Sequence, residues 1–218
     1  VFSSAVIIDI VSGTGDGAVE IVNSDRRYCV SQHRFMQSCN NIFDININPE
    51  DESIIKKVYS RRHTTLTGKA QWALGIVTGN NKEYIRDICE DGCEPVIKGR
   101  DIIPFRITEA QSFIRFDPSR FQQTANINFY RCGEKLVYRY ISNRLILACD
   151  RKGMLTLNSA NILIPEAEEY SMEMIMGLFN SDIYQFIFQK KFSSVKVLRS
   201  HIEELPLPEL SAGEKSRI

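Results

Sequence analysis

No run of apolar residues in this chain approaches the roughly 18 that a membrane-spanning helix needs. Apolar stretches such as Ala5–Val11 and Ile162–Ile164 are the size of strands, so no membrane partner is expected. Neither sign of charge is in excess: Lys and Arg number 27, Asp and Glu 27, and the chain as a whole carries no signature of polyanion binding. Histidine is scarce, with His33, His63 and His201 the three present, none beside an obvious partner. Gly-x-Ser-x-Gly, His-Glu-x-x-His and the Walker-type loop are all missing, which excludes the commonest nucleophile, zinc-protease and nucleotide-hydrolysis signatures. The six cysteines are spread thinly through a chain too long to need disulfide staples, which points to a reduced, cytoplasmic setting. Cys89-x-x-x-Cys93 and Cys29-x-x-x-His33 are looser than the usual two-residue ligand pairs, and no metal is expected. The chain opens Val1-Phe2, with no basic segment leading into an apolar one as a signal peptide would have. The expectation is a piece cut from a longer protein.

What is present is a real core and an uneven distribution of charge. Hydrophobic residues make up 43% and charged residues 25%, ordinary values for a globular domain. Between Val96 and Lys152 there are 11 Lys/Arg against 5 Asp/Glu, a balance of +6. Lys190, Lys191, Lys196 and Arg199 then follow within a stretch that holds no acid. A solvated face is the ordinary meaning of such runs; a phosphate-contacting surface is the sharper one.

The pattern along the chain is rich in strands. Ala5–Val11 and Ala18–Val22 read as a hairpin around Gly13-Thr14-Gly15-Asp16-Gly17, because alternation rather than a helix follows the glycines. Ile42–Ile47 reads as a strand. Asn48-Pro49-Glu50-Asp51 opens a helix, with Asn48 as cap and acids at its positive end. Thr64–Lys69 is a polar connector and a domain boundary. Strands are expected over Trp72–Thr78, Glu94–Ile97 and Ser112–Phe116, and residues 135–164 form a three-stranded meander. Ser171 and Ser181 each cap a helix, and Leu205-Pro206-Leu207-Pro208 stops regular structure.

Four stretches in one order carry a resemblance. They are Gly75-Ile76-Val77-Thr78-Gly79-Asn80-Asn81; Pro95-Val96-Ile97-Lys98-Gly99-Arg100-Asp101-Ile102; Lys135–Gly153; and Leu178-Phe179-Asn180-Ser181 followed by Ile202-Glu203-Glu204-Leu205-Pro206-Leu207-Pro208. Together, over residues 70–208, they resemble the C-terminal specificity domain, or target recognition domain, of TaqI-type adenine-N6 DNA methyltransferases, a domain also found in fused type II restriction-modification enzymes. The resemblance implies an α+β fold: a strand-rich mixed-sheet domain with C-terminal helices, preceded by a β-hairpin remnant of an upstream catalytic domain. It implies residues 1–66 as the tail of that domain and a connector, 67–210 as the recognition domain, and 211–218 as a disordered tail. The family's catalytic Asn/Asp-Pro-Pro-Tyr/Phe tetrapeptide is absent, and so is its cofactor-binding Gly motif on a strand-to-helix turn. The expectation is therefore no catalytic residue and no cofactor in this piece, with S-adenosylmethionine belonging to the parent enzyme. The implied partners are double-stranded DNA and the upstream methyltransferase domain. Candidate DNA contacts are Thr78, Asn80, Asn81 and Lys82 on one turn, Lys98 and Arg100 on another, Arg144, Arg151 and Lys152 in the meander, and Lys190, Lys191, Lys196 and Arg199 near the end. Arg139 shares a strand face with Val137 and reads as a structural pair. Two rivals remain: a general single-strand or RNA module, which exposed Tyr138 and Tyr140 would favour, and a non-catalytic assembly domain.

Overall fold

The computed structural model describes residues 17–22, 27–36, 45–192 and 194–215. The chain packs as two units, residues 1–53 and 54–218. In the first, β1 (Ala18–Val22) pairs antiparallel with β2 (Arg27–Ser31), in a register running from Ala18 opposite Ser31 to Val22 opposite Arg27. A short helix α1 (His33–Met36) follows. Ile21, Val30 and Phe35 form its small buried core. The expected arm Ala5–Val11 lies outside the described residues. The strand expected over Ile42–Ile47 is not found in its described part, Ile45–Ile47; there the Arg34 guanidinium takes the Ile47 carbonyl at 2.6 Å in place of a strand neighbour. Helix α2 (Pro49–Tyr59) starts as expected: the Asn48 Oδ1 accepts from the Asp51 N–H at 2.7 Å.

The second unit continues with β3 (His63–Thr64), β4 (Ala70–Ala73), α3 (Asn81–Tyr84), β5 (Ile85–Arg86), β6 (Glu94–Ile97), β7 (Ile102–Ile103), β8 (Arg106–Ile107) and β9 (Phe113–Ile114). Then come α4 (Ile127–Arg131), β10 (Lys135–Arg139), β11 (Leu147–Asp150), β12 (Leu155–Thr156), β13 (Ala160–Pro165), α5 (Met172–Asn180), α6 (Asp182–Phe192), α7 (Arg199–Glu203), β14 (Leu207–Pro208) and α8 (Ala212–Lys215). One four-stranded antiparallel sheet has the order β11-β10-β13-β4, and a second has the order β12-β6-β9-β5. Strand β10 shows why the first sheet lies between two layers. Its Leu136 and Tyr138 pack with Ile175, Phe179, Tyr184 and Phe188 of the C-terminal helices. The alternate residue, Val137, packs with Val96, Ile97 and Ile114 of the second sheet. A strand with both faces buried gives a continuous apolar run, and each such Leu, Val or Ile stabilises the fold by about 1.5–3 kcal/mol. This is the expected α+β class, with helices on one face.

The meander is not formed. In a meander β11 would lie in the middle; here β10 does, with β11 and β13 on either side. The last strand of the expected meander, taken in sequence as one run over Leu155–Ile164, breaks at Asn158–Ser159. Its first part, β12, leaves to run parallel to β6, and only its second part returns to β10. β11 starts only at Leu147, because side chains occupy its entry. Gln185 donates to the Leu145 carbonyl and accepts from its N–H, and Asn180 does the same for Leu147. Ser181 ends α5 rather than capping α6 with its side chain: its hydroxyl donates to the Leu178 carbonyl at 2.6 Å. Leu207–Pro208 does not end regular structure but forms β14 against β3. The strand expected over Trp72–Thr78 ends at Ala73, beyond which Ile76 bridges to Leu157 and Val77 to Gln123.

Candidate nucleic-acid interface

Two strands of the second sheet and one bridging segment beside it run in the same direction. β6 pairs in parallel with β12, and Ile76 pairs in parallel with Leu157. The Leu157 N–H donates to the Ile97 carbonyl and the Asn158 N–H to the Ile76 carbonyl, at 2.8 and 3.0 Å. Parallel segments leave their sheet at the same edge. The turns that follow are therefore neighbours: Thr78–Lys82, Lys98–Arg100 and Asn158–Ser159. Thr78–Lys82 and Lys98–Arg100 were nominated from sequence; Asn158–Ser159 was not, because only the parallel pairing of β12 brings it between them.

The packing beneath these turns explains two glycines. A Cβ on Gly75 would lie 2.1 Å from the Leu157 carbonyl oxygen, and one on Gly99 2.5 Å from that of Ser159. Gly79 has a different reason, a φ of +81°, where a side chain is strained. The Lys98–Arg100 turn is pinned from three sides. The Lys98 N–H donates to Asp101 Oδ2 at 2.8 Å and the Gly99 N–H to Ser159 Oγ at 2.9 Å. The Arg139 guanidinium donates to the carbonyls of Ile102 at 2.8 Å and Arg100 at 3.4 Å. Arg139 is thus the structural residue that strand alternation implied.

The same edge gathers cations. The Tyr140 N–H donates to the Ser159 carbonyl at 3.0 Å, and Lys196 holds its ammonium 5.8 Å from the Tyr140 ring while its backbone bridges to Ile141. Arg144 is exposed in the loop that joins β10 to β11 at this end. Arg100 is exposed, its Nε 3.7 Å from the buried Asp101 carboxylate. Partial burial, and then the neighbouring Arg100 charge, push the Lys98 ammonium below its ordinary pKa. Two cations that repel each other on a rigid turn favour an incoming anion.

The remaining candidates divide. Asn80, Asn81 and Lys82 are exposed on the first turn; Thr78 is buried, its hydroxyl donating to Asn81 Oδ1 at 2.7 Å. Arg151 and Lys152 lie at the other end of the sheet: Lys135 of β10 faces Asp150, whereas Arg139 faces Ala160, and four residue steps at about 3.4 Å put about 14 Å between those ends. Arg151 is already held by Glu134 and Glu173; Lys152 is exposed. Lys191 donates to the Tyr59 hydroxyl at 3.1 Å, Lys190 lies 5.8 Å from the Phe186 ring, and Arg199 pairs with Glu203 at 2.9 Å over the Trp72 ring. Tyr138 is buried against Trp72, so it offers no platform for a base. One charged pair was missed: Lys135 and Asp150 are wholly buried together. Among the described residues no cluster of three or more His, Cys, Asp or Glu could hold a metal ion, and no helix is long and apolar enough to cross a membrane.

Comparison with known proteins gives this edge a context. Over 81 residues, 37% of this chain and 20% of the relative, the sequence is 38% identical to the type II methyltransferase M.VspI of Vibrio sp. (strain 343). The chain thus matches about a fifth of that protein's length. Among solved structures, it resembles the HsdS subunit from Thermoanaerobacter tengcongensis with a TM-score of 0.48 at 12% identity, covering 77% of this chain and 40% of that one. A structure described as underlying complex assembly and conformational transition of the type I R-M system gives 0.44 at 14% identity, covering 77% and 42%. A family model described as the TaqI-like C-terminal specificity domain matches residues 94–207, from the first residue of β6 to the first of β14. That is 114 of the 218 residues, and the chain belongs to the family of TaqI-like C-terminal specificity domains.

Proposed function

We propose that this chain is the part of an adenine-N6-specific DNA methyltransferase of the restriction-modification type that reads its target sequence in duplex DNA. In this reading residues 67–210 are the recognition domain, and 1–66 are the tail of the methyltransferase domain with its connector, in a cytoplasmic enzyme. The observation that supports it most is the meeting of Lys98, Arg100 and Lys196 with three polar turns along one edge. Cations there take phosphates and fix register, while Asn80, Asn81 and Arg100 supply side chains suited to base edges in the major groove. Arg144 and Lys82 extend the phosphate-binding strip. Lys152 is a separate, more distant contact. Arg151, Lys190, Lys191 and Arg199 have partners within the chain and contribute chiefly to its packing. In this reading S-adenosylmethionine belongs to the parent enzyme: the catalytic Asn/Asp-Pro-Pro-Tyr/Phe tetrapeptide is absent from this sequence, and no step of methyl transfer is assigned to this chain.

Binding to a panel of duplex DNA, single-stranded DNA and RNA tests the reading. Duplex DNA is expected to bind best, and more weakly as salt rises. Equal or tighter binding of single strands would transfer the chain to the general nucleic-acid class, and absence of binding to all three would leave an assembly domain.

A further inference from the structure

A bulky residue occupies a position built for glycine. β7 and β8 form a hairpin in which Ile103 faces Arg106, with Pro104-Phe105 as its two-residue turn. Phe105 has φ +71°, and among the described residues it is the one non-glycine with a positive φ. Turns of this kind take glycine at their second central position, and an aromatic side chain there is an outlier. Burial offers no compensation, since Phe105 is 55% exposed. Strain of this kind persists at functional sites because the surroundings enforce it. Here the Phe105 N–H donates to the Leu147 carbonyl at 3.0 Å, and Thr108 donates to the Asp101 carbonyl through its N–H at 2.7 Å and its hydroxyl at 3.1 Å. The hairpin is a stiff finger leaving directly from the Lys98–Arg100 turn.

The charges around its tip indicate what it meets. Phe105 borders an open groove of about 870 Å³ that also includes Arg106, Glu109, Phe113, Arg131 and Lys152. Arg131 is paired with Glu94 at 2.6 Å. Arg106 and Lys152 are exposed and have no ion-pair partner among the described residues, and the rim's free carboxylate is Glu109. An exposed ring beside unpartnered cations is the composition with which proteins enter a base step while holding its phosphates.

We propose that Phe105 is a wedge inserted at a base step of the bound duplex, with Arg106 on the flanking phosphate. This rests on the duplex-reading function above. The test uses the whole chain and a duplex that it enriches from a random library, with 2-aminopurine placed in turn at each purine. Phe105→Gly relieves the backbone strain, so this variant is expected to melt no lower than the wild type. It should nevertheless bind the duplex about tenfold more weakly, given the value of one ring–base stack. Wild-type protein should raise 2-aminopurine fluorescence at one step, Phe105→Gly should not, and Phe105→Tyr should restore the signal. If Phe105→Gly lowers the melting temperature by several degrees, or keeps both the affinity and the fluorescence change, the wedge is wrong while duplex binding stands. A wild-type chain that enriches no duplex overturns both.

Discussion

Lys135 is the residue whose role sequence hides most completely. A lysine at the start of a strand reads as surface, and it contributed to the basic balance counted between Val96 and Lys152. In the fold it is fully buried, with its ammonium on the Asp150 carboxylate and on the Tyr130 carbonyl at 2.6 Å. Asp150 in turn accepts from the N–H groups of Lys152 and Met154, each at 2.8 Å. Lys135→Met leaves that carboxylate buried without its counter-charge, which costs about 3–5 kcal/mol, a large share of the 5–15 kcal/mol or so that holds a domain together. Urea unfolding should show it, and a loss below about 1 kcal/mol would mean that the pair is not buried as described. Asn48 and Ser171 are the opposite case. Their capping bonds were legible because a cap acts on residues two or three positions away.

At the scale of elements, local signals located the three longest helices, α2, α5 and α6, and many strand cores, and non-local pairing set the rest. β6 was read with its exact bounds, and β1 likewise. β2 was missed although Tyr28 and Val30 alternate with exposed neighbours. The meander failed because no local pattern tells a strand which side of β10 to join, and the partner that draws β12 away, β6, lies about sixty residues earlier. Helix α7 carries a testable pH dependence. The His201 ring stacks on Phe192 at 4.4 Å, and its Nδ1 accepts from the Leu198 N–H at 3.3 Å. Burial lowers its pKa from the ordinary 6.5, against smaller opposing effects of the Glu204 charge and the Lys196 backbone. A base whose folded pKa lies below its unfolded one stays neutral in the fold while the unfolded chain takes up a proton. Stability from His201 is therefore complete above about pH 6.5 and declines as pH falls toward its folded pKa, with a slope that cannot exceed about 1.4 kcal/mol per pH unit. His201→Asn, which keeps an acceptor but does not titrate, should flatten the decline between pH 7 and 5.5. An unchanged slope would assign the decline to other groups.

For the whole molecule, sequence supplied most parts of the candidate interface but not their assembly. Lys98, Arg100, Lys196 and the Thr78–Lys82 turn were named individually; parallel segments end in the two turns at one edge, and the bridge to Ile141 brings Lys196 there. Arg151 and Lys152 were grouped with them by charge alone, and the antiparallel register of β10 and β11 carries them to the opposite end. The central claim is that this edge is where phosphates bind. The salt dependence of duplex binding tests it most directly, comparing the wild-type chain with the Lys98→Ala, Arg100→Ala, Lys196→Ala triple variant. At about 0.9 per phosphate contact, the plot of log affinity against log salt should become shallower by about 2.7. A triple variant with the wild-type slope would contradict the account.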